Sequence, residues 1–333
     1  MPHTRRSIRC RDLKKLYFEK KFPLLKIGEI LGFSSRTIEI RALECGMKLR
    51  KPGVPTPDIS DKKIRFLYLE KQLSSRKIAK RYQCSYSYID NRVKRSGLPT
   101  RTLSLAHIRT KRVDFSNNPE EKAYLIGFKI GDLRARKMYK NSETIMVDCG
   151  STKDEQIKLI KRLFKKYGRV WIGKLQAGGK RQIECSLNQS FIFLLKKYLR
   201  FPEWVTKREN IKLSALAGFI DAEGSFFVGK QGKYSGFSVG NYNTTILKQI
   251  KKWLVDLGFK ARFFMGVKKG YTGKDGYSHN NDYWMVSIYR KKDLLLFAQK
   301  MIPYLRHKDR IKSALAVIKN IKERNKRYGF IGM

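Results

Sequence analysis

Two stretches of this chain repeat one another about ninety residues apart, and each carries an apolar run through a glycine to an acid. The first reads Leu125-Ile126-Gly127-Phe128-Lys129-Ile130-Gly131-Asp132. The second reads Leu216-Ala217-Gly218-Phe219-Ile220-Asp221-Ala222-Glu223-Gly224. Asp132 and Glu223 each follow the leading glycine by five positions. Further on, both copies predict an amphipathic helix, with Ile157, Ile160, Leu163 and Phe164 in one and Leu247, Ile250, Trp253 and Leu254 in the other. The helices close on Tyr167-Gly168 and Leu257-Gly258. Short runs of alternating polarity lie around them, at 144–147, 170–173 and 182–187, then at 225–228, 237–239 and 283–288. Alternation with period two buries one face of a sheet and exposes the other. Each copy therefore predicts helix, hairpin, helix, hairpin, helix: an α+β unit with an antiparallel sheet.

A second, shorter duplication precedes this one. Shifting the chain by 51 residues superimposes 16–50 on 67–101, matching Tyr17/Tyr68, Ile27/Ile78, Ser34/Ser85, Ile38/Ile89, Arg41/Arg92 and Gly46/Gly97. Each copy reads as three short helices, with Ser74 and Ser85 expected to cap two of them. Two short helices joined by a tight turn, the second rich in polar residues, make a helix-turn-helix. Arg36 and Arg41 in one copy and Asn91 and Arg92 in the other are the candidate DNA contacts. A helical repeat used for protein contacts is the alternative. The expected organisation is one helix-turn-helix unit at 1–53, a second at 58–102, a linker at 103–118, and the long repeats at 119–205 and 206–333.

Charge narrows the partner. Lys and Arg number 74 against 28 Asp and Glu, a formal net charge of +46 over 333 residues. Cations spread along the whole chain suit the displacement of counterions from a polyphosphate. A hydrophobic fraction of 41% excludes global disorder. The five cysteines are widely spaced without a CxxC pair, so neither a disulfide framework nor a zinc ribbon is expected. His279-Asn280-Asn281 lacks the second histidine of an HNH nuclease and reads as loop. With no apolar run of membrane length and no apolar signal core after Met1, the expectation is a reduced, intracellular protein. That means a cytoplasmic, nucleoid-associated location, with an organelle left open.

The nonapeptide at 216–224 resembles the motif of the LAGLIDADG homing endonucleases almost letter for letter, with Glu for the eighth-position Asp. The stretch at 125–133 is a looser match, with Lys129, Ile130 and Leu133 departing from it. The resemblance covers 119–333 and is to the single-chain form with two fused repeats. It implies two pseudo-symmetric repeats with saddle-shaped antiparallel sheets. Glycines at 127, 131 and 218 and Ala217 would let two parallel helices approach closely. Their acidic ends, carrying the negative pole of each helix, would form one cation site. Asp132 and Glu223 are then the catalytic metal ligands, for Mg²⁺ or Mn²⁺, and Lys308 is the candidate cation beside the metal. Lys207 is its weaker counterpart in the first repeat. Asp221 is expected to pack or cap, since Ile130 stands at the equivalent place. Ser151 and Asn241 align after the second strands.

The resemblance also implies a monomer that binds double-stranded DNA and no membrane, and that hydrolyses phosphodiesters at a long asymmetric site. Candidate contacts on the sheets are Arg134, Arg136, Lys137, Lys174, Gln176, Arg181 and Gln182 in the first repeat. In the second they are Lys230, Gln231, Tyr234, Arg262 and Lys268. The rival readings are a non-cleaving DNA-binding regulator and a maturase that binds intron RNA.

Overall fold

The computed structural model describes residues 8–20, 22–49, 59–100, 108, 110–273, 276 and 278–329. Residues 51–57, and residues 103–107 and 109 of the linker expected at 103–118, lie outside these. The chain divides into two compact units, Met1–Thr100 and Arg101–Met333.

In the N-terminal unit each copy folds as three helical pieces. The first copy has α1 (Cys10–Lys14), continued by a π-helical turn (Lys15–Glu19), then α2 (Leu24–Leu31) and α3 (Ser35–Glu44). The second has α4 (Asp61–Arg65) with its π-helical turn (Phe66–Glu70), α5 (Ser75–Arg81) and α6 (Tyr86–Arg95). Serines begin four of these helices. Ser34, Ser60, Ser74 and Ser85 each accept the backbone N–H three residues on, at 3.0–3.3 Å, which satisfies a donor the first turn leaves orphaned. The turn between the last two helices needs a left-handed residue. Gly32 takes it with φ +74°, and Gln83 takes it in the second copy with φ +50°. Matched residues fill matched cores: Tyr17, Ile27, Ile38, Ala42 and Met47 in one, Tyr68, Ile78, Ile89, Val93 and Leu98 in the other.

One feature corrects the sequence reading. Cys10 and Cys45 are joined as a disulfide, with Cα atoms 5.6 Å apart. Spacing along the chain does not register cysteines that folding brings together, and this Cα separation suits a bridge. The equivalent positions of the second copy are Asp61 and Ser96, and there the tie is ionic. Arg92 donates to Asp61 at 2.9 Å and to the carbonyl of Ile59 at 2.7 Å. Arg41 keeps the equivalent backbone contact, to the carbonyl of Ile8 at 3.1 Å.

The C-terminal unit contains the long duplication. Its first repeat runs α7 (Pro119–Gly131), β1 (Arg134–Lys137), β2 (Ile145–Ser151), α8 (Asp154–Phe164), β3 (Arg169–Ile172) and β4 (Arg181–Leu187). A 3-10 segment, Gln189–Leu195, takes the place of the expected closing helix, followed by the short α9 (Glu203–Thr206). The second repeat runs α10 (Glu209–Glu223), β5 (Gly224–Val228), β6 (Ser235–Asn241), α11 (Thr244–Asp256), β7 (Arg262–Val267), β8 (Tyr283–Ile288), α12 (Lys291–Met301) and α13 (Lys308–Tyr328). Both sheets are antiparallel and share one topology, β1-β2-β4-β3 and β5-β6-β8-β7. Thr272 and Ser278 bridge across the β7–β8 connection.

One hydrophobic core joins the two repeats, and α7 and α10 form its centre. They lie side by side and parallel, with their backbones in contact. A methyl group added at Gly127 would overlap the carbonyl oxygen of Ala215, and one at Gly218 would overlap that of Tyr124. The two contacts are reciprocal, as a pseudo-twofold axis requires. A buried hydrogen bond adds to them: Tyr124 donates its hydroxyl to Asp221 across the helix pair at 2.6 Å.

This packing leaves no room for a side chain at either glycine. Gly127→Ala and Gly218→Ala should each destabilise the C-terminal unit by about 1–3 kcal/mol, the usual cost of overfilling a core. All four tryptophans lie in this unit, so urea unfolding followed by their fluorescence reports it alone. An alanine variant as stable as the parent would contradict the backbone contact.

Candidate active site

The helix pair delivers its two acids to one end. Asp132 is the C-cap of α7, its N–H bonded to the carbonyl of Phe128 at 3.0 Å. Glu223 is the last residue of α10, and Gly224 opens β5 in extended geometry. Gly224 is confined sterically, since a Cβ there would come 2.8 Å from Ile220 Cγ2. Close approach continues to the tip, where a methyl on Gly131 would meet Ala222 and come 3.0 Å from Glu223 Cγ. Both acids therefore sit where helix C-termini add partial negative charge.

Each acid has one amide donor, and the donors differ. Gln156, from the first turn of α8, donates to Asp132 Oδ2 at 2.5 Å. Asn241, the last residue of β6, donates to Glu223 Oε1 at 3.4 Å. Burial pushes the Asp132 carboxyl up to about 6, against opposing pulls from Arg310, Lys153 and the Gln156 bond. Burial and the charge of Asp132 push Glu223 up to about 7, opposed by Arg310 and Asn241. The charge of Asp132 acting on Glu223, and Arg310 acting on both, mark one electrostatic site.

Beside Asp132 is a cavity of about 290 Å³, lined by Cys149, Gly150, Ser151, Thr152, Lys153, Gln156, Lys180, Ala222 and Arg310. Three cations around one acid suit an anionic oxygen. Arg310 Nε is buried without a hydrogen-bond partner among the described residues, an orphaned donor aimed at no protein group. Cys149 takes no nucleophilic part, because burial and the nearby aspartates hold its thiol up at about 12. A larger surface hollow of about 790 Å³ is lined by Lys248, Lys251 and Arg262 with no acid, so it offers a metal nothing.

Among the described residues no cluster of three or more Asp, Glu, His or Cys side chains is arranged to hold a metal ion. Two carboxylates nonetheless fit a hard divalent cation that completes its shell with water and substrate phosphate. Burial already disfavours both carboxylates as bare anions, so a cation would offset that cost.

The sequence-derived cation Lys308 is the first residue of α13, exposed, with its charge felt by Glu155. Lys207 is exposed at the end of α9 and does not line the cavity. Arg310, two positions beyond Lys308, lines the cavity beside Asp132 and its charge acts on both acids, and it was missed. Asp221 packs, as expected. Its Oδ2 accepts Tyr124 Oη, Arg306 N at 2.7 Å and His307 N at 3.1 Å, which pins the segment before α13 onto the helix pair. Ser151 lines the cavity and accepts Lys153 N at 3.0 Å.

On the outer face of the first sheet, Asp148 gathers three of the candidate DNA contacts. Arg136 lies 3.3 Å, Gln182 3.4 Å and Arg134 3.9 Å from its carboxylate. This organising acid was also missed. Lys174, Gln176, Lys230, Gln231, Tyr234, Arg262 and Lys268 are exposed, and Lys137 and Arg181 half-buried. In the N-terminal unit Arg36 is exposed and bonded to Glu39, and Asn91 is exposed. Arg41 and Arg92 spend their guanidinium groups on the internal ties described above.

Residues 210–301 match the family model of the LAGLIDADG-like domain, which bears out the resemblance read from the sequence. No curated protein matches the chain. Among solved structures, the chain is similar to mesophilic variants of the homing endonuclease I-DmoI at 18% identity, covering 56% of this chain and 93% of that one, with a TM-score of 0.38. It is similar to the homing endonuclease I-WcaI bound to its DNA recognition sequence at 17%, covering 59% and 87%, with a TM-score of 0.41. Full-length DUF199/WhiA from Thermatoga maritima is similar at 15%, covering 66% and 64%, with a TM-score of 0.39.

The titration of the two acids has a stability consequence. Their folded values lie above the ordinary 3.8 and 4.5, so the folded chain holds protons that the unfolded chain releases. Stability from these groups is therefore fully present below about pH 4 and lost as pH rises through 6 to 7. Asp132→Asn and Glu223→Gln should each stabilise the metal-free protein at pH 8, by about 1 kcal/mol after discounting for partial exposure. The gain should shrink at pH 5. Thermal melts at both pH values measure it, and equal gains would show that burial does not strain these acids.

Proposed function

We propose that this chain is a divalent-metal-dependent DNA endonuclease that cuts both strands of a long asymmetric duplex site. The observation that carries this reading is the meeting of Asp132 and Glu223 at the ends of two backbone-packed helices, with Arg310 lining the cavity beside Asp132. Asp132 and Glu223 would hold Mg²⁺ or Mn²⁺, which when bound would lower the pKa of an attacking water and neutralise the leaving oxygen. The chain's own groups do the rest. Gln156 and Asn241 each hold one carboxylate by donating to it, which leaves the other oxygen of each acid for a cation. Arg310, with Lys153 and Lys180, would take the non-bridging phosphate oxygens as negative charge grows on them. The net charge of +46 and the cations and amides of the sheet faces support duplex DNA as the substrate.

Two acids with different amide donors predict two strand cuts at unequal rates. Purified protein with Mg²⁺ should linearise a plasmid carrying the uninterrupted host site. Asp132→Asn or Glu223→Gln should stop this while gel-shift binding of the same site survives. Binding without cutting by the parent protein would favour a non-cleaving regulator, and preference for structured RNA a maturase. Cutting by the double variant would mean another active site.

The two candidate cations separate kinetically. Arg310→Gln should lower the single-turnover cleavage rate by about 100- to 1000-fold, the range for removing one transition-state donor. Lys308→Gln should cost less than about tenfold, as expected of an exposed phosphate contact. The opposite ranking would return the role to Lys308.

A further inference from the structure

The two trihelical copies share a fold and a core, yet they present opposite surfaces. Across the last two helices of the first copy, residues 24–44, three cations (Lys26, Arg36, Arg41) meet three acids (Glu29, Glu39, Glu44), a balance of zero. Two of those pairs are closed ion pairs, Arg36–Glu39 at 3.1 Å and Arg41–Glu44 at 2.9 Å. Across the matching residues 75–95 of the second copy, seven cations meet one acid, Asp90, a balance of +6. A basic bias of composition would enrich both copies alike, so it does not account for the difference.

The divergence is concentrated at exposed positions. Leu25, Ile30, Ile40 and Leu43 are 47–65% exposed in the first copy. At the 51-residue shift the second copy has Arg76, Arg81, Asn91 and Lys94, all exposed as well. Arg76 sits over the ring of Tyr86 at 5.6 Å, and Tyr86 is itself 54% exposed. Lys94 pairs with Asp90 at 3.0 Å along α6. The same scaffold thus carries aliphatic side chains on one copy. On the other it carries guanidinium and ammonium groups with an amide, which offers both a donor and an acceptor.

We propose that the last two helices of the second trihelical copy, through Arg76, Arg81 and Lys94, dock on the phosphates of double-stranded DNA, and that the matching helices of the first copy do not. This rests on the DNA-binding reading above but not on cleavage. Cations at phosphates release condensed counterions, so each contact contributes about 0.9 to the slope of log affinity against log salt. The last two helices of the first copy, balanced at zero, offer no such surplus.

The test uses the full chain, without Mg²⁺, and a fluorescent 40-base-pair duplex of random sequence, titrated by anisotropy over a salt series. Arg76→Gln/Arg81→Gln/Lys94→Gln should weaken binding by about tenfold or more and reduce the salt slope by about 2 to 3. Lys26→Gln/Arg36→Gln should leave the slope within about 0.5 of the parent. A charge-keeping variant, Arg76→Lys/Arg81→Lys/Lys94→Arg, should bind as the parent does, which separates lost charge from lost fold. An unchanged slope in the first variant, an equal fall in the second, or a collapse of the third each overturns the proposal. A parent protein that binds duplex and loses slope as predicted, yet never cuts, would sink the nuclease reading and leave this one standing. A parent that cuts while the first variant keeps its slope would do the reverse.

Discussion

The C-terminal unit depends on two helix backbones touching where two glycines leave space. Gly127 and Gly218 each admit a carbonyl of the opposite helix, and no other residue type would allow it. That contact fixes the helix spacing, and so it fixes how far apart two side chains one turn further on can be. Asp132 and Glu223 come close together because the backbones upstream leave them no alternative. The burial that raises both carboxyls follows from the same packing, so the fold and the chemistry have one origin.

Much of this was legible in the chain. The resemblance carried by the two nonapeptides implies paired helices ending at a common site, and the alternating runs predict most of the strands. Two strands gave no alternating run to mark their bounds. β1 reads Arg-Ala-Arg-Lys and has no apolar phase to detect, and β7 places Phe263 and Phe264 side by side, which breaks the alternation. Arg310 escaped because Lys308 fitted the expected segment, and only the start of α13 decides which of the two turns inward. Gln156 and Asp148 act across elements distant in sequence, through contacts that no spacing rule encodes. The same holds for Cys10 and Cys45, 35 residues apart.

The repeats have diverged in ways the duplication hides. Asp221 anchors the entry to α13 in the second repeat, whereas Ile130 stands at that place in the first, and the first repeat closes in a 3-10 segment. One of the paired acids answers to a glutamine on a helix and the other to an asparagine at a strand end. Such asymmetry is what two fused copies allow and a symmetric dimer of one copy does not.

The two small copies hold their first helices by unlike means. One uses a covalent sulfur bridge, and the other uses an aspartate gripped by an arginine. A bond that a dithiol cuts and an attraction that brine weakens respond to separate stresses. A reducing solution therefore acts on the tie of one copy and concentrated electrolyte on that of its twin, while the packed interior of each is left as it was.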